Sequence, residues 1–385
     1  MSASCVRAKR FSMSSNKEHG QLAPTLDQLR SVSLLIDVRA PVEFAQGALP
    51  GAINLPLMDD EERARVGTCY RQKGSDAALR LGHQLVSGAL RESRVAAWRA
   101  VLARHPDALI YCARGGQRSG IAQQWLAEEG LEVARLKGGF KAARRTLMSV
   151  TEQAAGAPSL VIAGLTGCAK TDMIKALDSG IDLEGHARHK GSSFGRQPGQ
   201  PPTQINFEHA LAMDLAGRRA PHVFEDESRR IGSVEIPLPL WQGLCAAPRV
   251  LIEMPLEWRL AQIRRDYIDD LWTQYRQSYG PWLGWSLMRR QLVSALVRLK
   301  KRLGSARLER LLQLQQQAFE AHVTTDDSQA HDGWLSPLLS EYYDPMYHYQ
   351  LRQNEQAPAF TGTWQEVLAF VREAVDQQRR SGDGE

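Results

Sequence analysis

The sequence has few cysteines and no long apolar run. Its 385 residues include five scattered cysteines, an odd number with no Cys-x-x-Cys pair: Cys5, Cys69, Cys112, Cys168 and Cys245. This pattern indicates neither a disulfide framework nor a zinc site, and it favours a reducing compartment, so we predict a cytoplasmic protein. No stretch approaches about 18 uninterrupted apolar residues, and no apolar run follows the basic N-terminal residues, so we expect neither a membrane span nor a secretory signal.

Extremes of composition and charge are also absent. A hydrophobic fraction of 43% and a charged fraction of 24% are ordinary for a globular chain, and the length suits two or three domains. The net charge of +5 permits nucleic-acid binding without establishing it. Basic residues concentrate between positions 289 and 310, beside an apolar stripe. The segment indicates either a track for nucleic-acid phosphates or the solvated face of an amphipathic helix. The stripe comprises Leu292, Leu296, Leu299 and Leu303.

The most informative segment is CARGGQRS at 112–119, which directly follows the apolar run 108–111. A strand that ends in a cysteine, followed by two glycines and a helix from Ile121 to Glu129, would direct several backbone N–H groups at one point. Arg114 and Arg118 add positive charge, and this environment stabilises an anion at the cysteine. We therefore predict Cys112, Arg114 and Arg118 as catalytic residues. The alternative is a buried, inert cysteine at a strand end.

Alternating short strands and helical stretches between residues 34 and 140 predict a first α/β domain. We place a flexible tail at 1–20, this domain at 21–150, a linker at 151–158 and a second domain at 159–380. The second domain becomes strongly helical after Pro255.

A near match to a phosphate-binding loop opens the second domain, after the strand-like run 160–163. Its backbone N–H groups and lysine would surround phosphate oxygens, so we predict Gly164, Gly167, Lys170 and Thr171 as phosphate or diphosphate ligands. Ala169 replaces the glycine that normally precedes the lysine. A strand-to-helix turn that binds nothing is the alternative.

Acidic residues follow a second strand-like run at 222–224. Asp226 and Glu227 are candidates to support Mg²⁺ near the phosphate loop, although acidic strand ends are also frequent on plain surfaces. We predict no firm metal site and no tightly bound cofactor.

The blocks around these residues resemble known families. Asp37-Val38-Arg39, with 47–56 (GALPGAINLP), resembles the first signature of rhodanese-like sulfurtransferase domains, in which a six-residue loop holds a persulfide or selenide. Further strings, in order, resemble the tRNA 2-selenouridine synthase family: VGTCY, CARGGQRS, DLEGHARHKGSSFG, EDESRRIGS and EYYDPMY. The resemblance covers about residues 34–350. It implies a rhodanese-like α/β domain followed by a P-loop NTPase-like α/β domain, whose helical, basic C-terminal part we expect to bind tRNA.

The resemblance also implies an activity. Family members replace the sulfur of wobble 2-thiouridine in tRNA with selenium, by S-geranylation with geranyl diphosphate and then selenation from selenophosphate. It assigns Cys112 as the selenium-carrying cysteine, and we hypothesise that the P-loop-like domain binds the geranyl donor through Lys170, with Mg²⁺ as a candidate ion.

Other interpretations stay open from the residues alone. Cys112 and Arg118 also fit the Cys-x5-Arg loop of a phosphatase, and a persulfide sulfurtransferase would use the same cysteine. Ala169 is compatible with a non-catalytic RNA-binding adaptor. We interpret Asp37 and Arg39 as a structural ion pair, and Cys69, Cys168 and Cys245 as small apolar fillers.

Overall fold

A computed structural model describes residues 20–352 and 357–382 and forms two compact units, which divide between Thr146 and Leu147. The predicted tail at 1–20 lies outside the described residues except for Gly20. Within the described ranges, no helix is long and apolar enough to cross a membrane.

A parallel sheet with strand order β1-β5-β4-β2-β3 forms the centre of the first unit. The middle strands β2 and β4 are short apolar runs buried on both faces, as parallel strands covered by helices require. The strands are β1 (Gln21–Leu22), β2 (Leu35–Asp37), β3 (Ala52–Asn54), β4 (Leu109–Tyr111) and β5 (Ala134–Leu136). The helices are α1 (Leu26–Ser31), α2 (Pro41–Gln46), α3 (Asp60–Leu85), α4 (Gly88–Leu102), α5 (Gln117–Glu128) and α6 (Gly139–Ala155).

Helix α3 is bent into two arms. Gly74 has a φ of 80° and a ψ of −176°, which are not helical values, so the chain changes direction there and then resumes the helix. Asp59 caps the first arm by accepting a hydrogen bond from the Glu62 backbone N–H at 2.8 Å. The two arms enclose space between them.

A second parallel sheet, ordered β12-β11-β6-β8-β7, forms the α/β part of the second unit. Its strands are β6 (Ser159–Gly164), β7 (Gly180–Ile181), β8 (His222–Glu225), β11 (Arg249–Ile252) and β12 (Phe360–Gly362), and β9 (Arg230–Ile231) with β10 (Val234–Glu235) forms a separate antiparallel ribbon. The helices are α7 (Lys170–Lys175), α8 (Leu183–Ala187), α9 (Gln204–Gly217), α10 (Leu238–Ala246) and, near the C-terminus, α18 (Trp364–Gly382). Strands β6 and β8 are neighbours, so their carboxyl ends bring the predicted phosphate loop and the acidic segment together.

A helical subregion follows β11 and has its own apolar core, which contains the predicted leucine stripe. The basic segment is not one helix, because the helical turns break at Leu299 and again at Gly304, whose φ is 79°. The helices are α11 (Leu256–Arg264), α12 (Asp270–Tyr279), α13 (Pro281–Arg298), α14 (Lys300–Leu303), α15 (Ser305–Thr325), α16 (Asp332–Leu338) and α17 (Asp344–Arg352). π-helical turns cover Arg265–Asp269 and Leu339–Tyr343, and a 3₁₀ turn covers Ser328–His331.

The predicted class, two successive α/β domains with a helical C-terminal part, is confirmed. The segment predicted as a linker, 151–158, is different in structure: α6 continues to Ala155, so only 156–158 lie outside regular structure before β6. Ala154 is buried in the core of the second unit, and this packing extends the helix through residues whose composition suggested a linker.

Candidate active sites

Cys112 lies where the predicted loop begins, immediately after β4. Its side chain is 3% exposed, and its Sγ is 3.2 Å from the Ser119 Oγ. Helix α5 begins at Gln117, earlier than the sequence suggested, with Gly116 as its N-cap. The unpaired N–H groups of its first turn therefore belong to the loop itself, and the positive end of a 12-residue helix adjoins it.

Two glycines allow this loop to pack against the turn after β5. Gly115 and Gly139 both have positive φ values, 64° and 56°. A Cβ on Gly139 would lie 2.1 Å from the Cys112 carbonyl oxygen, and one on Gly115 would lie 2.8 Å from the Gly139 nitrogen. The same carbonyl accepts a hydrogen bond from the Phe140 N–H at 2.9 Å, which fixes the start of the loop.

Arg118 is paired within the first unit. It donates hydrogen bonds to the two carboxylate oxygens of Glu43 at 2.5 and 3.0 Å, and Arg63 lies 3.4 Å from the same carboxylate. Burial alone would raise the pKa of Glu43, but its contacts with Arg118 outweigh burial and lower it. Burial would likewise lower the pKa of Arg118, and Glu43 raises it. From the sequence we expected Arg118 to add positive charge at the Cys112 loop. The structure shows that Glu43 balances much of that charge.

Arg114 is exposed and lines a cavity beside the loop. Sequence reasoning missed Arg135, whose Nη1 lies 3.4 Å from the Gly115 carbonyl oxygen and 3.5 Å from that of Gly116. By holding these carbonyls, Arg135 helps to fix the loop conformation. No local motif signals this role, because Arg135 lies on β5 and meets the loop only in the folded sheet.

The predicted structural ion pair of Asp37 and Arg39 is confirmed. Both side chains are buried, and Arg39 donates to the Asp37 carboxylate at 2.6–3.0 Å and to the Gly47 carbonyl at 2.7 Å. The guanidinium also lies 4.0 Å from the centre of the Phe140 ring. The pair therefore ties β2 to the turn that supports the Cys112 loop.

In the second unit, the predicted phosphate loop connects β6 to α7. The Lys170 Nζ donates to the Gly164 carbonyl at 2.9 Å, and the Thr171 Oγ1 donates to a Glu184 carboxylate oxygen at 3.0 Å. Gly167 has a φ of 88°, and a Cβ there would lie 2.7 Å from the Arg259 carbonyl oxygen. Ala169 takes φ 56° and ψ 44°, so it adopts the left-handed conformation for which a glycine would be expected.

Acidic side chains surround this lysine. Burial raises the pKa of Glu184, and burial with Glu184 nearby raises that of Glu225 well above its usual value. The same causes raise the pKa of Glu227 to about 8. Burial would lower the Lys170 pKa, but Cys168, Tyr347 and the neighbouring glutamates raise it overall, so the ammonium stays charged.

Both acidic candidates from the sequence, Asp226 and Glu227, line the cavity around Lys170. Asp226 also lies 3.7 Å from Arg249 in a weak ion pair. Glu184 and Glu225, which line the same cavity, were not among the predicted site residues; Glu184 lies in the block DLEGHARHKGSSFG. Among the described residues, no three His, Cys, Asp or Glu side chains are grouped to hold a metal ion.

A polar cavity of about 590 Å³ contains Lys170 and these acids. Aromatic side chains and one arginine from the helical subregion form another part of its lining: Tyr267, Tyr342, Tyr343, Tyr347 and Arg302. The Tyr347 hydroxyl accepts a hydrogen bond from the Gly164 N–H at 2.7 Å. Tyr342 and Tyr343 are buried, so most of the EYYDPMY aromatics cover the core, and Tyr347 is the half-buried one that meets the phosphate loop.

Several basic residues of segment 289–310 are engaged within the second unit. Arg298 donates to the Ser193 carbonyl at 2.8 Å, and Arg302 donates to the Tyr342 hydroxyl at 3.1 Å. Arg307 pairs with Glu341 at 3.3 Å. Part of the predicted phosphate track therefore contacts other residues of the second unit, and tRNA binding by the remainder stays a prediction.

Comparison with known proteins decides the family. A family model described as "tRNA 2-selenouridine synthase AAA domain" matches residues 157–378, and a rhodanese-like domain model matches residues 20–146. The tRNA 2-selenouridine synthase of Chromohalobacter salexigens is 60% identical over 88% of this chain and 94% of its own length. The chain belongs to the tRNA 2-selenouridine synthase family. Proteins of the same name from Aeromonas salmonicida and Serratia proteamaculans are 46% and 47% identical, each over 88% of this chain and over 93% and 92% of their own lengths.

In this synthase-family chain, the Cys112 loop lies within the range matched by the rhodanese-like model, and the Lys170 loop lies within the range matched by the AAA domain model. One solved chain from Clostridium difficile 630 is 34% identical, and the match covers 30% of this chain and 88% of the solved chain. Its TM-score is 0.28, which supports no structural argument.

Of the cysteines predicted as small apolar fillers, Cys168 is buried in the core of the second unit, but Cys245 is exposed and fills no core space.

Proposed function

We propose that this chain converts wobble 2-thiouridine in tRNA to 2-selenouridine, by S-geranylation and then selenation. The observation that carries the proposal is the Cys112 loop, which lies at the N-terminus of α5, in a chain that belongs to the synthase family. A second site built around Lys170 supplies a separate place for a diphosphate donor.

S-geranylation solves a leaving-group problem. The sulfur of a thiocarbonyl departs poorly, whereas an S-alkyl group departs as a thiol. In this step the C1–O bond of geranyl diphosphate breaks, the thiouridine sulfur bonds to C1, and N3 of the base loses its proton. The diphosphate leaves with the electron pair, and Lys170 is placed to neutralise its charge once it exchanges the Gly164 carbonyl for phosphate oxygens.

The oxygens around Thr171 suit a hard cation. The Glu225 Oε1 is buried and lacks a hydrogen-bond partner in the described structure, and the Thr171 hydroxyl lies beside Glu184. Mg²⁺ usually takes one or two carboxylates and completes its shell with water and phosphate oxygens, so Thr171 with Glu184, Glu225 or Glu227 would hold it. When bound, Mg²⁺ would supply Lewis-acid neutralisation of the departing diphosphate.

Selenation follows at the Cys112 loop. Hydrolysis of selenophosphate yields phosphate and selenide, so selenium reaches C2 without a change of oxidation state. The C2–Se bond forms, the C2–S bond breaks, and the electron pair leaves with the geranyl thiolate, which takes up a proton. A selenosulfide on Cys112 would need a two-electron oxidant, which this reaction does not supply, so we assign Cys112 to holding the selenide anion in its loop. The assay contains dithiothreitol to keep the Cys112 thiol reduced.

The test uses the full chain with a 2-thiouridine anticodon stem-loop, geranyl diphosphate, selenophosphate, Mg²⁺ and dithiothreitol, followed by nucleoside mass spectrometry. We expect 2-selenouridine from the native protein, S-geranyl-2-thiouridine alone from Cys112→Ala, and native behaviour from the exposed-cysteine control Cys245→Ala. Lys170→Ala should lose geranylation but still convert a stem-loop that was geranylated chemically. Absence of both nucleosides from the native protein overturns the proposal.

Assays of the same protein with other substrates separate the competing functions. A sulfurtransferase would label Cys112 with sulfur from thiosulfate and ignore the geranylated stem-loop. A phosphatase would hydrolyse an aryl phosphate, although the pairing of Arg118 with Glu43 leaves that side chain less able to bind phosphate. An adaptor would bind the stem-loop without any change in nucleoside mass.

A further inference from the structure

A second cavity, of about 770 Å³, lies in the first unit and has no assigned ligand. Buried apolar side chains form much of its lining: Leu57, Met58, Ala78, Val86 and Trp125. Its volume is typical of sites for small organic ligands, about 300–1,000 Å³. Its lining is more apolar than that of the Lys170 cavity, which consists mainly of charged and hydroxyl side chains.

The bend in α3 creates this cavity. Residues of both helix arms line it, Arg63 to Arg71 from the first arm and Ala78 to His83 from the second. Two of the lining side chains are large, apolar and unusually exposed: Tyr70 is 59% exposed and Leu79 is 38% exposed. An apolar ligand between the arms would cover both and remove that surface from water.

The cavity adjoins the Cys112 loop. Arg114, Gln117 and Arg118 of the Cys112 loop form one side of it. Cys112 itself packs in the same apolar cluster as the lining residues Leu57 and Trp125. If a substrate base reacts at Cys112, a substituent on its reacting carbon would therefore lie next to this cavity.

We propose that this cavity binds the prenyl chain of the S-prenylated wobble nucleoside during selenation, an inference that rests on the proposed function. The departing sulfur is bonded to the same C2 that selenium attacks, so the chain must begin beside the Cys112 loop. The occupant has an apolar tail on an anionic RNA, and the cavity matches both parts. Its apolar lining suits the tail, and the exposed arginines Arg71 and Arg114 in the same lining suit the phosphates.

The test measures binding without turnover. Fluorescein-labelled anticodon stem-loops carrying S-methyl, S-dimethylallyl or S-geranyl 2-thiouridine are titrated with the full chain by fluorescence anisotropy, in the absence of selenophosphate. For the native protein we expect Kd to fall at least about 10-fold from S-methyl to S-geranyl, since each added carbon is buried. Leu79→Glu places a charge in the cavity at a partly exposed position, so the fold is retained and the three Kd values should become equal. Val323→Glu, at an exposed apolar position of the second unit, is the matched control and should keep the native chain-length dependence.

Two results overturn the inference: equal Kd values for the three stem-loops with the native protein, or an unchanged chain-length dependence in Leu79→Glu. Far-UV circular dichroism confirms that each variant is folded. Failure of the proposed function is a different outcome, because the native protein would then produce no 2-selenouridine from the S-geranyl stem-loop and selenophosphate, whatever the binding series shows.

Discussion

Arg118 and Glu43 are 75 residues apart in the sequence and share two hydrogen bonds at the edge of the Cys112 loop. The pair is partly buried, so each side chain is less free to contact a third group. Because Glu43 holds the Arg118 side chain, the first turn of α5 is fixed. The positive charge of Arg118 still interacts electrostatically with Cys112.

Removal of this arginine should separate its two roles. Arg118→Ala leaves the Glu43 carboxylate without its main partner and should destabilise the chain by about 1–3 kcal/mol. The double variant Arg118→Ala with Glu43→Gln removes that unpaired charge and should recover most of the thermal stability. If Arg118 also acts on the selenium anion, 2-selenouridine formation stays low in the double variant. Recovery of both stability and activity would show that Arg118 is purely structural.

The buried pair of Asp37 and Arg39 gives a prediction about stability. Arg39→Ala leaves the Asp37 carboxylate buried without compensation and should cost about 3–5 kcal/mol in urea denaturation. Arg39→Ala combined with Asp37→Ala, which removes both charges, should be less destabilised than Arg39→Ala alone. Equal losses in the two variants would mean that the ring contact with Phe140, and not charge pairing, makes Arg39 important.

Replacement of Ala169 by glycine should make the folded chain more stable. Its left-handed backbone costs an ordinary residue about 1–2 kcal/mol, and glycine removes this cost while losing some chain entropy, so Ala169→Gly should stabilise by about 0.5–1 kcal/mol. Asp326→Gly, at another left-handed position at the end of α15, is the control for backbone relief alone. We expect only Ala169→Gly to tighten binding of inorganic diphosphate, as measured by calorimetry. An equal effect of both variants on that binding would contradict a role for position 169 in the phosphate site.

The helical subregion contains a buried histidine pair, which should make the stability of the chain depend on pH. The His331 Nε2 lies 3.2 Å from the His322 Nδ1, and the His331 Nδ1 accepts from the Trp334 indole at 2.9 Å. Burial, with His322 nearby, lowers the pKa of His331 to about 3. Between pH 3 and about 6.5 the unfolded chain therefore binds more protons than the folded one. The free energy of unfolding should therefore decrease as the pH is lowered, by up to about 2 kcal/mol at pH 5.

The check on this prediction is a series of thermal unfolding curves from pH 7.5 to 5. His331→Gln does not titrate, so its melting temperature should depend less on pH than that of the native protein. Identical slopes for the two proteins would assign the acid sensitivity to other groups.

Motifs that are continuous in the sequence could be predicted, because their chemistry and their backbone come from the same few residues. Cys112 with its glycines and the loop up to Lys170 are of this kind. Glu43, Arg135 and Glu184 could not be predicted, since each reaches its site from another element across the folded unit. The bend in α3 was missed for a related reason: the sequence around Gly74 is polar and helical on either side, and only φ and ψ at that residue reveal two arms.

The contact between Gly115 and Gly139 also limits which sequences this loop can accept. Any side chain at Gly139 would overlap the Cys112 carbonyl, and any side chain at Gly115 would overlap the backbone of the facing turn. Gly116 has open space around its Cα and a negative φ of −95°. In a saturation library the two facing positions should therefore tolerate glycine alone, whereas their neighbour should accept alanine and serine, although all three are glycines in the printed sequence.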